Sequence, residues 1–313
     1  MPQVEIIKCH GSGNDFILID ATDNQLCGID ITHFTRWACD RKRGIGSDGV
    51  LLLVRHNDGT YGMDMLNPDG THAQMCGNGI RCVARLAEEL GLPTRGVLRS
   101  GGKDYPTGRG KEIAEGIKTY TVDIPISLTS DDFAFMGCAE RFVGEKIADL
   151  SDTLRFTALN LGNPHIVAAV DKIDMALLET LGRRVKTLPT LLPHGVNVSL
   201  YECRTPESIF VATYERGAGI TLSCGTAMTA SSTAATLLGY VCSDKRIEVR
   251  NRGGKVYCTP RVSKEGIITR LEGNATFDWW GVVEADGDNY SFDIVRRTTE
   301  DTLWRQFVQQ LNQ

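Results

Sequence analysis

The sequence has no Cys-x-x-Cys pair, no apolar run long enough to cross a bilayer and no excess of basic charge. Its ten cysteines come no closer than Cys76 and Cys82. That spacing argues against a zinc ribbon or knuckle. Val50-Leu51-Leu52-Leu53-Val54 is an apolar run of strand size, not a membrane span. The start, Met1-Pro2-Gln3-Val4-Glu5-Ile6-Ile7-Lys8, lacks the basic cap and apolar core of a signal peptide, so the expected compartment is the cytoplasm. A reducing compartment disfavours disulfides, which leaves most of the cysteines as small buried packing residues. With 34 Lys+Arg against 39 Asp+Glu the net charge is -5, which argues against nucleic acid or a membrane as partner and points to a small molecule. A length of 313 residues, 42% hydrophobic and 23% charged, fits a globular protein of two domains.

Strands are expected at 4–7, 16–19, 50–54, 120–126, 156–161, 166–170, 196–200 and 209–214. Residues 31–40 read as a helix, and Asn67-Pro68-Asp69-Gly70 as a turn. The Gly11-Ser12-Gly13 turn lacks the third glycine of a dinucleotide loop and is followed by a strand, which excludes that fold. A helix opens at Cys76-Gly77-Asn78-Gly79 and runs to about Leu90. Ile80, Val83, Ala84, Ala87 and Leu90 line its apolar face, and Arg81, Arg85, Glu88 and Glu89 a polar one. A second helix opens at Cys224-Gly225-Thr226 and runs to about Leu238; its small, nearly uncharged residues predict burial on most sides. Residues 101–118 read as an exposed hairpin or loop, and a domain crossing is expected at 127–132.

The two halves repeat. Gly13-Asn14 recurs as Gly162-Asn163, an offset of 163 − 14 = 149, and Cys76-Gly77 as Cys224-Gly225, an offset of 224 − 76 = 148. Leu90-Gly91 and Leu238-Gly239 follow at the same distance from their cysteines. Such a shared offset implies two homologous domains related by a pseudo-two-fold, with Cys76 and Cys224 brought to the cleft between them. The expected domains are 1–127 and 128–299.

A cysteine at a helix N-terminus has its thiolate favoured by the helix dipole and by free N–H donors. The same donors, on Gly77, Asn78, Gly225 and Thr226, suit a carboxylate and the charge that develops on it. Two such sulfurs on opposite sides of one α-carbon would perform a 1,1-proton transfer, one removing the proton and the other returning one. That chemistry requires no metal, flavin or pyridoxal. As packing residues alone, two glycine-flanked cysteines at duplicated helix starts would be a coincidence. Cys9, Cys27, Cys39, Cys82, Cys138, Cys203, Cys242 and Cys258 are read as packing residues.

With Cys-Gly-Asn-Gly-Ile-Arg-Cys at 76–82, Glu-Arg-Gly-Ala-Gly at 215–219, Gly13-Asn14-Asp15-Phe16, Gly162-Asn163-Pro164-His165 and Gly195-Val196-Asn197-Val198, the chain resembles the diaminopimelate epimerases. The resemblance implies an α+β fold of two similar domains, each a curved mixed sheet or barrel around a central helix. It implies that residues 300–313 complete the first domain, that Cys76 and Cys224 are base and acid, and that His165 and Glu215 tune them. Asn14, Asn67, Asn163, Asn197, Glu215 and Arg216 would hold the substrate, with no cofactor. Plainer accounts exist: Asn14 and Asn163 as turn residues, Glu215 and Arg216 as a solvated charge pair, His165 as structural. Thr71-His72 stands where the family has Ser-Glu, and Ala227-Met228 also departs from its pattern. These positions leave the amino acid open between diaminopimelate and another such as histidine. A non-catalytic amino-acid binder of the same fold is the reading from another class, and a homodimer is compatible.

Overall fold

A computed structural model describes residues 2–23, 26, 28–73 and 75–311. The chain divides into two compact units, residues 1–122 with 273–313 and residues 123–272. In the first, β1 (Gln3–Gly11) and β2 (Asn14–Asp20) form an antiparallel hairpin, and α1 (Ile31–Cys39) leads to β3 (Val50–Arg55), parallel to β2. β4 (Tyr61–Leu66) returns antiparallel to β3, and the short β5 (His72–Ala73) leads into α2 (Gly77–Glu89). β6 (Val97–Ser100) lies parallel to β4, and β7 (Lys103–Arg109) and β8 (Thr119–Ile126) follow by antiparallel pairing.

The second unit repeats this sequence of pairings. β9 (Phe156–Asn160) and β10 (Pro164–Ala169) are the hairpin, and α3 (Met175–Arg184) leads to the parallel β11 (Asn197–Thr205). β12 (Ser208–Glu215) is antiparallel to β11, and β13 (Gly219–Thr221) leads into α4 (Gly225–Leu237). β14 (Ile247–Asn251) is parallel to β12, and β15 (Gly254–Ser263) and β16 (Gly266–Asn274) are antiparallel. The duplication inferred from three short motifs therefore extends through the whole order of strands and helices.

The boundaries differ from the expected 127 and 299. The divide falls inside β8, whose residues 120–122 pair with β7, while Asp123 takes the Arg270 guanidinium of the second unit. The C-terminal return also begins earlier, because β17 (Thr276–Asp286) pairs with β1 from Gln3↔Glu284 to His10↔Thr276. β18 (Asn289–Arg297) pairs with β17, and α5 (Glu300–Leu311) follows with Trp304 buried. The segment at 101–118 holds all of β7, which forms a hairpin with β6 and buries Tyr105.

Each unit covers its strands on two faces. α1, capped by the Asp30 carboxylate, sets Phe34 and Ala38 against Val4, Ile6, Ile17, Ile19, Val50 and Leu52. These are alternate residues of three strands, the period that a sheet face demands. α3, capped by Asp174, does the same with Leu178 and Leu181 over Phe156, Ala158, Ile166, Ala168, Val198 and Leu200. α2 packs against β1 to β4 and β7, and α4 against β10 to β12, β14 and β15, so each is its unit's central helix.

Residues 225–235 of α4 are all buried, as their small size predicts. Residues 77–87 of α2 are buried too, so the expected polar face holds at Glu88 and Glu89 but fails at Arg81 and Arg85, 0% and 1% exposed, while Leu90 of the expected apolar face is exposed. The returning segment accounts for the buried arginines. Arg85 donates to Ala275 O at 2.6 Å, pairs through both Nη atoms with Glu300 and lies over the Phe277 ring at 3.8 Å. Among the cysteines read as packing residues, Cys9, Cys39, Cys82 and Cys258 are buried. Cys138, in a turn, Cys203, near the end of β11, and Cys242, between α4 and β14, are exposed, and Cys27 lies outside the described residues.

Candidate active site

Cys76 is the N-cap of α2, in extended backbone (φ −139°, ψ 110°), and its sulfur accepts the Gly79 N–H at 3.3 Å. Asn14, delivered by the β1–β2 turn, places Oδ1 3.9 Å from that sulfur. Asn78 Nδ2 donates to the same oxygen at 3.2 Å, while Asn14 Nδ2 donates to Asp48 Oδ2 at 2.8 Å. Arg41 bridges Asp48 and Asp15, and Lys8 also pairs with Asp15. Burial alone would raise the Asp15 carboxyl, but Arg41 and Lys8 together hold it below its ordinary value.

Cys224 caps α4 with nearly the same backbone (φ −129°, ψ 111°) but is buried, 7% exposed, with its sulfur 3.5 Å from Thr226 Oγ1. Asn163 Nδ2 donates to that hydroxyl at 3.2 Å, and His165 Nε2 lies 3.1 Å from both Thr226 Oγ1 and Asn163 Oδ1. Asn197 Nδ2 stands 3.5 Å from the same imidazole nitrogen, and Asn197 Oδ1 accepts the Arg216 backbone N–H at 2.8 Å. Glu215, at the end of β12, accepts the Thr221 hydroxyl at 2.5 Å. A shallow cleft opens beside Cys224, lined by Thr213, Thr221, Ser223, Asn251 and Arg252 among others.

The electrostatics of Cys224 oppose the expectation of a dipole-stabilised thiolate. Burial first, and the Glu215 carboxylate second, push this thiol well above its ordinary value. The Thr226 hydroxyl and the Ala227 N–H pull it down, but less, and no side-chain cap bond forms by strict geometry. Desolvation of the charged form outweighs the helix end here. The same desolvation, aided by Arg216, lowers His165 from 6.5 to about 3, so its imidazole is neutral.

The residues singled out in the sequence thus fall into clusters within each unit. Cys76, Asn14 and Asn78 meet in the first. Cys224, Thr226, Asn163, His165, Asn197 and Glu215 meet in the second. Gly77 and Gly225 are the first residues of their helices. Glu215 and Arg216 are not the charge pair of the plainer account, since the exposed Arg216 guanidinium turns to His194 O at 2.7 Å. Asn67, Thr71 and His72 form a turn of their own: Asn67 Nδ2 donates to Thr71 Oγ1 at 3.0 Å, Thr71 donates to Asp69, and His72 is exposed on β5. Asp48 and Arg81 escaped the sequence reading. Their signal was positional, since Arg81 lies three residues after Asn78, on the face that begins at a candidate site residue.

A family model for diaminopimelate epimerase matches residues 6–102 and 157–277. The chain belongs to the diaminopimelate epimerase family. The diaminopimelate epimerase of Clostridium acetobutylicum is 36% identical over 314 residues, covering 98% of this chain and 94% of that one. That of Ligilactobacillus salivarius is 35% identical, covering 99% and 100%. Solved structures share the fold at low identity. A phenazine biosynthesis protein of the PhzF family from Bacillus anthracis has a TM-score of 0.65 at 13% identity, covering 91% of this chain and 100% of that one. A probable proline racemase from Agrobacterium radiobacter has 0.60 at 15%, covering 96% and 95%. The family's fold is the α+β fold described above. Among the described residues no helix is long and apolar enough to cross a membrane.

Proposed function

We propose that the chain is a cofactor-independent isomerase that interconverts LL- and meso-diaminopimelate by proton transfer at one α-carbon, with Cys76 and Cys224 as the two acid–base groups. The supporting observation is that both cysteines cap a buried helix in the same backbone conformation at equivalent places of a duplicated unit. Near-full-length identity to named diaminopimelate epimerases supplies the substrate.

In the proposed reaction one cysteine, as thiolate, takes the α-hydrogen as a proton, and the other, as thiol, gives a proton to the opposite face. The sulfurs exchange roles in the reverse direction, so one site serves both stereoisomers. Burial and Glu215 favour the protonated form of Cys224, which suits it to donate; Glu215 is then placed to take a proton from it when the direction reverses. Negative charge grows on the α-carboxylate as the proton leaves. The first N–H groups of each helix, on Gly77, Asn78, Gly225 and Thr226, would stabilise it. Asn14 and Asn163 flank the sulfurs, and neutral His165 holds Asn163 and Thr226 in place. Asn67, Asn197 and Arg216 would recognise the second amino-acid end, where a guanidinium suits a carboxylate.

Incubation in D2O with LL-diaminopimelate and a panel of L-amino acids, followed by NMR and chiral chromatography, tests this. Deuterium should enter the α-position of diaminopimelate as the meso form appears. Racemisation of L-histidine without turnover of diaminopimelate would reassign the substrate to the chemistry of His72. No exchange with any amino acid would favour a binding protein.

A further inference from the structure

We infer that Arg81 and Asp48 are positioning residues that together fix the Asn14 amide with its carbonyl oxygen toward the Cys76 sulfur. The inference rests on Cys76 being a reacting thiol. A guanidinium only donates hydrogen bonds, and an ionised carboxylate only accepts them. Arg81 Nη2 donates to Asn78 Oδ1 at 3.0 Å, so Asn78 must turn its Nδ2 the other way, and that nitrogen donates to Asn14 Oδ1 at 3.2 Å. From the opposite side Asp48 Oδ2 accepts Asn14 Nδ2 at 2.8 Å. Both ends select the same one of two orientations that an amide's shape alone leaves undecided. The Cys76 thiol therefore faces an acceptor at 3.9 Å, which takes its S–H and repels a thiolate. The Gly79 N–H, at 3.3 Å, acts in the other sense.

The seat of the guanidinium is built for it. Nη1 donates to Gly77 O at 2.8 Å and Nε to Asn274 O at 3.3 Å. A Cβ on Gly11 or on Gly273 would come within 2.9 or 2.8 Å of Nη2, so only glycine admits the group on those two sides. Among the described residues, the charged groups of the network behind Asn14 and Asn78 are Arg81 from α2, Asp48 and Arg41 from the segment around the end of α1, Asp15 from β2 and Lys8 from β1. His72 stands on β5, exposed. In the second unit the equivalent amide points the other way, with Asn163 Nδ2 toward the hydroxyl that touches Cys224.

The test is the pH dependence of Cys76 alkylation by iodoacetamide, followed by peptide mass spectrometry, in R81Q, D48N and the double variant. Each single variant keeps one anchor and moves the midpoint by lost charge alone, upward for R81Q and downward for D48N. The double variant loses one charge of each sign and both anchors, freeing Nδ2 to turn to the sulfur. Its midpoint should fall below the sum of the two single effects by about one pH unit, or about tenfold faster alkylation at neutral pH. A double-variant midpoint equal to that sum overturns the inference. A neutron structure of the unaltered protein decides it without any variant: deuterons on Asn14 Nδ2 should face Asp48, and deuterons facing Cys76 Sγ would refute it. Neither measurement needs turnover, so an inactive protein would sink the proposed function and leave this result standing.

Discussion

The helices α2 and α4 begin alike and are filled differently. At an offset of 148, Arg81 corresponds to Thr229 and Arg85 to Thr233. Arg81 Nη1 donates to Gly77 O at 2.8 Å, one turn back, and Thr229 Oγ1 donates to Gly225 O at 2.9 Å in the same way. The local helical bond survived the duplication while the side chain making it did not. What differs is the surroundings. β17 and α5 give α2 carbonyls and the Glu300 carboxylate, so two guanidinium groups can be buried there with partners. In α4, hydroxyls bond to the helix's own carbonyls and to Thr269, and no charge enters. A helix that begins at a cysteine N-cap can therefore be held by ions or by close packing. The sulfurs differ in step: Cys76 is half-buried beside an amide oxygen, and Cys224 is buried beside a hydroxyl and a carboxylate.

The sharpest way to break this pairing is to remove one sulfur at a time. Cys76→Ala and Cys224→Ala should each lower kcat for epimerisation at least about a thousandfold, since each deletes a group that must move a proton. Both proteins should retain wild-type circular dichroism. Full activity in either one would show that the two helix starts are not partners in one reaction.

The sequence made the cysteines, both hairpin asparagines and the α1, α2 and α4 helices legible, because each carries a local signal: a repeated dipeptide, a cap or a period of 3.6 residues. The crossing expected at 127–132 lies a few residues beyond the observed divide. The boundary lies within β8, a continuous strand, and no turn or linker marks it. β17 was missed because its partner is β1, more than two hundred residues away, and such pairing leaves no local trace; β18 joins the sheet through β17. Arg81 and Arg85 were misplaced for the same reason: a buried arginine is known by its acceptors, and those come from the far end of the chain. The low reactivity expected of Cys224 depends on burial, which a helix-start motif cannot report.

Arg85→Met tests whether ions hold α2. The substitution keeps much of the apolar stem over Phe277 but leaves the Glu300 carboxylate and Ala275 O without the guanidinium. Removing one partner of a buried pair costs about 3–5 kcal/mol. The equivalent Thr233→Val keeps the volume and loses one hydroxyl with its bonds to Thr229 O and Thr269, for about 1 kcal/mol. Urea unfolding of the two variants should show that ordering. Equal losses would mean that the arginines fill space and that their charge contributes little.

The last difference is at the strand after each asparagine. His165, on β10, corresponds to Phe16, on β2, at an offset of 149, and both are fully buried. The first unit thus has an apolar ring where the second has an imidazole, and only the second can respond to acid there. Burial, with Arg216, holds His165 at about 3 against an ordinary 6.5. Its neutral form is the one the fold accepts. Above 6.5 both folded and unfolded chains carry it neutral, and its contribution is fully present. As pH falls below 6.5 the unfolded chain binds the proton and the folded one does not, so stability is lost progressively toward about 3. A tenfold difference in proton affinity between the two chains corresponds to about 1.4 kcal/mol, and relaxation around the ring trims the total to on the order of 2–3 kcal/mol. His165→Gln, which keeps an N–H donor near Asn163 and cannot titrate, should show a shallower loss of unfolding free energy between pH 7 and pH 4 than the unaltered protein. Parallel acid limbs in the two proteins would place the acid sensitivity elsewhere and leave His165 as no more than the counterpart of Phe16.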